Sequence, residues 1–174
     1  MKRIERDFDS FVLNLELTYR FFRLERYLTT SQLKRPLKEN RKFFDLVRSA
    51  LFRCYVIGLA NMLEKPNSRF SDVLSVFFLM DVKLENHEQT IKKIFEWRNK
   101  FVAHWDVNQF RNVDTSRLSE KEIESLFEKV AEIVDDLKTR YNRSENYKNR
   151  LQKIKQEIDS MLFDFKLSVG ELSI

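Results

Sequence analysis

Apolar residues recur along this chain at spacings of three and four, the period of an α-helix. From about Ile4 to Leu28 two apolar stripes share one segment: Ile4, Phe8, Phe11, Leu15 and Phe22, then Leu13, Leu17, Phe21, Leu24 and Leu28. A helix apolar on two faces is buried on both, either in a core or against a partner chain. Thr29-Thr30-Ser31 and Pro36 end that run, and a second helix is expected from Leu37 to Leu63. Its second half, Ala50 to Ala60, is apolar almost all round, which predicts a central position, with Cys54 a buried small hydrophobe. Gly58 in that run costs about 1 kcal/mol relative to alanine, a cost that close approach of a neighbouring helix would explain.

The pattern continues with a short third helix over Ser71 to Met80 and a fourth over Glu85 to His104. Residues 106–118 lose the period and gain Asn, Asp, Thr and Ser, as a loop does. Ser119 and Glu122 form a capping-box pair that opens a fifth helix. Its stripe is Ile123, Leu126, Phe127, Val130, Ile133, Val134, Leu137 and Tyr141. A sixth starts near Ser144, where Tyr147, Leu151, Ile154, Ile158, Met161 and Phe165 follow the spacing of a coiled-coil seam. The turn around Asn142-Arg143-Ser144 is short, so helices five and six are expected to form an antiparallel hairpin. The expected fold is all-α: an antiparallel bundle of five to six helices in a single domain. Residues 1–142 would form the bundle, and residues 143–174 a C-terminal helix packed on it.

Composition agrees with that pattern. The 174 residues include 2 glycines, 2 prolines and 1 cysteine, where average usage gives about 12 Gly and about 9 Pro. So few turn formers exclude a many-stranded β protein, and a lone cysteine excludes a disulfide framework and a thiolate zinc site. Lys and Arg number 32 against 27 Asp and Glu, a net charge of +5. The excess lies in residues 1–65, with 14 basic and 8 acidic residues, while residues 119–174 carry 10 and 12. A bias of this size is compatible with nucleic-acid binding and does not argue it alone. The charged start, Met1-Lys2-Arg3-Ile4-Glu5-Arg6-Asp7, has no apolar signal core. The longest apolar cluster, Val73 to Met80, falls far short of the roughly 20 residues a membrane span needs. No membrane association and a cytoplasmic location are expected.

The fourth helix carries the candidate chemistry. Of the two histidines, His87 stands at a polar helix start and His104 follows Arg98-Asn99-Lys100-Phe101-Val102-Ala103. Arg98 interrupts the stripe Ile91, Ile94, Phe95, Val102 and Trp105; a guanidinium there must be paired or must face a groove or interface. His104 lies six residues on, about 120° around and about 9 Å along the helix, within reach of a long Arg side chain. Arg binds a phosphate bidentately and stabilises charge on it, and His can give or take a proton near neutral pH. RNA cleavage through the 2′-OH needs a base, an acid and a cation, and on this chemistry requires no metal or cofactor. One chain offers one suitable His, so the mechanism predicts a site shared between two copies of this helix. Spacing alone leaves a second reading open, in which Arg98 pairs with a carboxylate at the core edge and His104 caps a helix end.

The full string Arg98-Asn99-Lys100-Phe101-Val102-Ala103-His104-Trp105-Asp106 resembles the R-x(4–6)-H signature of the HEPN superfamily, the higher eukaryotes and prokaryotes nucleotide-binding domain. The Arg-Asn-Lys…Ala-His-x-Asp form is similar to its AbiU-like branch, tied to bacterial abortive infection. Phe43 to Phe52, Gly58 to Leu63 and Ser71 to Leu74 are similar to the helices that precede the motif there. The resemblance implies an all-α bundle, usually a homodimer, with Arg and His lining a cleft between protomers. It implies a metal-independent ribonuclease of a toxin–antitoxin or abortive-infection system. Arg98 would contact the scissile phosphate, His104 would be the acid and base, and Asn99, Lys100 and Asp106 would support them. No Gly-Ser…Asp-x-Asp nucleotidyltransferase motif occurs in this chain, so an antitoxin partner of that kind would be a separate chain. Two other readings compete: a non-catalytic RNA- or nucleotide-binding module, and a helical protein-interaction module.

Overall fold

The computed structural model describes residues 2–29, 40–65, 75–79, 84–103, 118–138 and 143–171. These residues form α1 (Lys2–Thr29), α2 (Arg41–Met62), the one-turn α3 (Val76–Leu79), α4 (Glu88–Ala103), α5 (Glu120–Lys138) and α6 (Tyr147–Glu171), with no strand among them. The chain is an all-α, single-domain helical bundle, as the periodicity predicts.

One core joins the helices. Phe8, Phe11, Leu15 and Phe22 of α1, Tyr55, Leu59 and Met62 of α2, Ile94 of α4 and Leu126, Phe127 and Val130 of α5 are all buried. Each buried aliphatic or aromatic side chain of this kind stabilises the fold by roughly 1.5–3 kcal/mol. The Phe22 ring meets Tyr55 edge-on at 5.5 Å and lies tilted against Phe127 at 5.5 Å, so this one residue ties α1 to α2 and α5. Trp97 of α4 sits 5.2 Å from Phe52 of α2.

The expected close approach at Gly58 is with α1. A Cβ at position 58 would lie 2.2 Å from Thr18 Oγ1 and 2.8 Å from Thr18 Cγ2. Only glycine lets the two helices meet there. Contacts from Thr18 to Gly58 and from Phe22 to Tyr55 run in opposite senses, so α1 and α2 are antiparallel. Helices α5 and α6 also pack antiparallel, through Lys155 on Glu124 and Lys148 on Glu132. Asp135 of α5 accepts bonds from the backbone N–H groups of Tyr147 and Lys148, so one helix of the hairpin caps the other. The capping box at α5 is formed: Glu122 accepts from the Ser119 N–H at 2.6 Å, and the Glu122 N–H donates to Ser119 Oγ at 3.2 Å.

Some expectations are corrected. Cys54 is exposed, not buried. It lies on a side of α2 that faces away from the core with Phe43, Leu46, Ala50 and Ile57, because the antiparallel partner covers only the opposite side. On α1 the stripe through Phe8, Phe11, Leu15 and Phe22 is buried, but Leu13 and Leu17 of the second stripe are 59% and 43% exposed. Helix α4 starts at Glu88 rather than Glu85 because Asn86 stands at φ 70°, a left-handed conformation no α-helix accommodates. On α6, Leu162 is buried where the heptad rule points to Met161, which is 54% exposed. An ordinary 3.6-residue helix drifts against a 3.5-residue repeat, and the seam moves over by one residue. The loop over 106–118, apart from Leu118, and the outer parts of the expected second and third helices lie outside the described residues, as does Tyr141.

Candidate active site

Helix α4 presents the candidate residues on successive positions. Its inner side is Thr90, Ile94 and Trp97, all buried, while Ile91, Phe95 and Arg98 run along the border of that side, half-buried. The stripe read from sequence places Arg98 within the apolar face and omits Trp97. The structure puts Trp97 inside and turns Arg98 to the edge.

Arg98 is fixed by three neighbours. Its Nη1 donates to Glu64 Oε2, in an ion pair that leaves each side chain about a quarter exposed or less. Its guanidinium lies over the Phe95 ring, 4.8 Å from the centroid. Its Nε donates to Asn99 Oδ1 at 3.3 Å. Among the described residues, Nη2 has no hydrogen-bond partner. The guanidinium therefore lies over an aromatic ring, engaged at Nη1 and Nε, with Nη2 left without a hydrogen-bond partner among the described residues. Such a group offers Nη2 to a carboxylate or phosphate, and makes two parallel bonds where the anion displaces Glu64 or Asn99.

Glu64 escapes the sequence reading. It lies 34 residues before Arg98, directly after α2 and its C-cap Leu63. The sequence demands a partner for a guanidinium on an apolar border but does not name the carboxylate. Asn99 and Lys100 are exposed on α4, one and two positions past Arg98. His104 and Asp106 lie outside the described residues.

A cleft of about 800 Å³ opens next to Arg98. The end of α2 (Leu63, Glu64 and Lys65), Phe77 of α3, and α4 with its approach (Leu84, Glu85, Glu88, Ile91, Lys92 and Phe95) form its walls. Two of the side chains that hold Arg98, Glu64 and Phe95, are thus also walls of this cleft. Lys65 places its ammonium 5.8 Å over the Phe77 ring at the same wall. No helix among the described residues is long and apolar enough to cross a membrane.

No curated protein and no solved structure matches the chain. A family model does: the one described as AbiU2, of HEPN type, matches residues 1–159, which takes in the first half of α6.

Proposed function

The chain belongs to the AbiU2 family of the HEPN superfamily, and from that premise we propose that it is a metal-independent endoribonuclease of a bacterial toxin–antitoxin or abortive-infection system, working in the cytoplasm as a homodimer. The observation that carries this reading is the state of Arg98. It lies over Phe95, is paired with Glu64 at Nη1 and with Asn99 at Nε, and has no hydrogen-bond partner at Nη2 among the described residues. An RNA phosphate approaching Nη2 gains a charge-assisted bond there and competes with Glu64 and Asn99 for the rest of the fork. The cation then lies against the phosphate as negative charge builds on it. His104 takes the proton from the 2′-OH in one protomer and returns a proton to the 5′-oxygen from the other. Asn99 steadies the guanidinium through its Nε, and Lys100 and Asp106 support the two principal groups. On this chemistry the nucleophile is the substrate's own 2′-oxygen, so the residues named suffice without a cofactor. Any antitoxin would be a separate chain.

The outer side of the α1–α2 pair supports the second copy. Leu17 and Ile57 each stand one residue before the Thr18–Gly58 contact. In antiparallel helices that places both on the same outward side. Leu13 lies with them, as do Cys54, Ala50, Leu46 and Phe43, all exposed. An apolar patch drawn from two helices marks an interface rather than ordinary surface. Asn61, also exposed, carries that side of α2 on towards Glu64, where Arg98 is bound.

The test is expression of wild type, Arg98→Ala and His104→Ala in a bacterial host, with purified protein assayed on RNA in the presence of a chelator. Wild type should slow growth and cleave RNA, and both variants should lose each effect while keeping a wild-type circular dichroism spectrum. Intact RNA with a harmless wild type sinks the proposal. RNA that is retained but uncut favours a binding module instead.

A further inference from the structure

We infer that the cleft beside Arg98 is a subsite for one base of a single-stranded RNA, seated between Phe77 and Phe95 while the adjoining phosphate lies on Arg98. The inference rests on the RNA reading above and adds to it where the strand runs and which part of it the protein reads.

Three features converge. First, the volume of about 800 Å³ is within the range of clefts that take small planar ligands. Two of its walls are aromatic, and unpaired bases stack on such side chains. Secondly, the cleft is continuous with the anion site. Phe95 lines the cleft and also carries the guanidinium of Arg98, so a base in the cleft and a phosphate on Arg98 are neighbours along α4. The cleft spans Glu88 to Phe95, and Arg98 stands about 4.5 Å further along the axis. Base and phosphate thus follow one another along α4.

Thirdly, the charges sort the two halves of a nucleotide. Glu85 and Glu88 line the cleft beside Lys65 and Lys92. With Glu64, which is paired to Arg98, the lining holds three carboxylates; they repel a phosphate from the interior, whereas a base edge with N–H groups donates to Glu85 or Glu88, as cytosine N4 does to Glu in nucleic-acid recognition. The lysines are left for phosphates on either side. The cleft therefore favours bases that carry an exocyclic amine over uracil.

The test uses the full chain and single-stranded pentanucleotides built with 2′-fluoro sugars, which lack the 2′-OH and stay uncut, each with an abasic residue at one position in turn. Binding is read by fluorescence anisotropy. With wild type, one abasic position should weaken binding on the order of tenfold, the worth of one stacked base, and uracil there should bind less well than cytosine. Ile91→Trp, which fills the cleft with an indole, should flatten that profile. Phe77→Leu, which removes a ring at nearly constant polarity, should halve it or more, and serves as the second variant if Ile91→Trp disturbs folding. Arg98→Ala should weaken every oligonucleotide by a common factor and leave the profile in place. A flat profile in wild type, or an unchanged one in both cleft variants, overturns the subsite, as does a free nucleoside monophosphate that binds more tightly than the pentanucleotide. The two proposals fail separately. A protein with the abasic signature that leaves ordinary RNA intact keeps the subsite and loses the ribonuclease. One that cuts RNA with a flat profile does the reverse.

Discussion

Where α1, α5 and α6 meet, charged side chains hold helices to one another. Arg23 of α1, nearly buried, reaches Glu120 at 2.9 Å and Asp159 at 3.2 Å and so bridges both other helices. Burial works against its charge, but the bond and charge of Asp159 outweigh that and raise its pKa. Glu16 takes Arg150 at 2.7 Å and Asp9 takes Arg143 at 2.5 Å, which lays α6 parallel to α1. Where α2, α3 and α4 meet, the ion pair of Arg98 and Glu64 borders an open cleft, and apolar side chains along the outside of α2 face away from the core. The first region pairs its charges within the chain, although Arg23 Nε is buried with no hydrogen-bond partner among the described residues. Among the described residues, the second carries a cation with Nη2 unpartnered, aromatic rings at a cavity and an exposed apolar face, which are the features of a surface that has further partners.

The comparison can be broken first at its rigid half. Phe127→Ala removes a fully buried ring shared by α1 and α5, and should cost about 3–5 kcal/mol in urea unfolding. A cost no larger than that of Arg98→Ala would erase the distinction between the regions. Arg98→Ala itself should cost about 1 kcal/mol or less, since its pair is partly solvated. Next is the seam between the two halves of the pair: Gly58→Ala should destabilise by about 1–3 kcal/mol through overpacking against Thr18. Adding Thr18→Ala should restore most of that loss, because the clash is with this one short side chain.

A smaller effect is expected at the start of α5. Ser119→Ala should cost about 1 kcal/mol at neutral pH. The Ser119 hydroxyl and backbone bonds hold the Glu122 carboxyl below its ordinary pKa. A depressed folded pKa gives stability that is present above the unfolded value and is lost as pH falls through the folded one. The difference between wild type and Ser119→Ala should therefore shrink below about pH 4, and a difference that grows in acid would contradict the bond. The smallest effect on stability sharpens the comparison most. Leu46→Glu, at a residue 68% exposed, should change monomer stability by about 0.5 kcal/mol or less, yet sedimentation should show the proposed dimer replaced by monomer. An unchanged mass would remove this face from the interface.

Much of this molecule was legible in sequence because its strongest signals are local. The capping box at Ser119 and Glu122 and the stripe from Ile123 to Leu137 depend on neighbours three and four residues away, and they form as the period predicts. Gly58 was legible as a close approach because a glycine in an apolar helix has few other reasons. What the sequence left open depends on distant residues. Whether Cys54, Leu13 and Leu17 are buried turns on how many sides of the α1–α2 pair the rest of the chain covers, and apolar periodicity reads the same for a core face and for an interface face. Glu64 is one of many carboxylates, and only the path of α2 brings it to Arg98.

The turn at Asn86 has a consequence best put as leverage. The helix that leaves this turn runs ten steps from Glu88 to Arg98, an arm of about 15 Å. A tilt of about 5° at the turn moves the Arg98 backbone by about 1.3 Å, and a misplacement of about 1 Å can cost a reaction two orders of magnitude. Asparagine tolerates the left-handed φ of 70° there, and a β-branched residue does not. Aim, as distinct from chemistry, is thus set at a position that touches neither phosphate nor base.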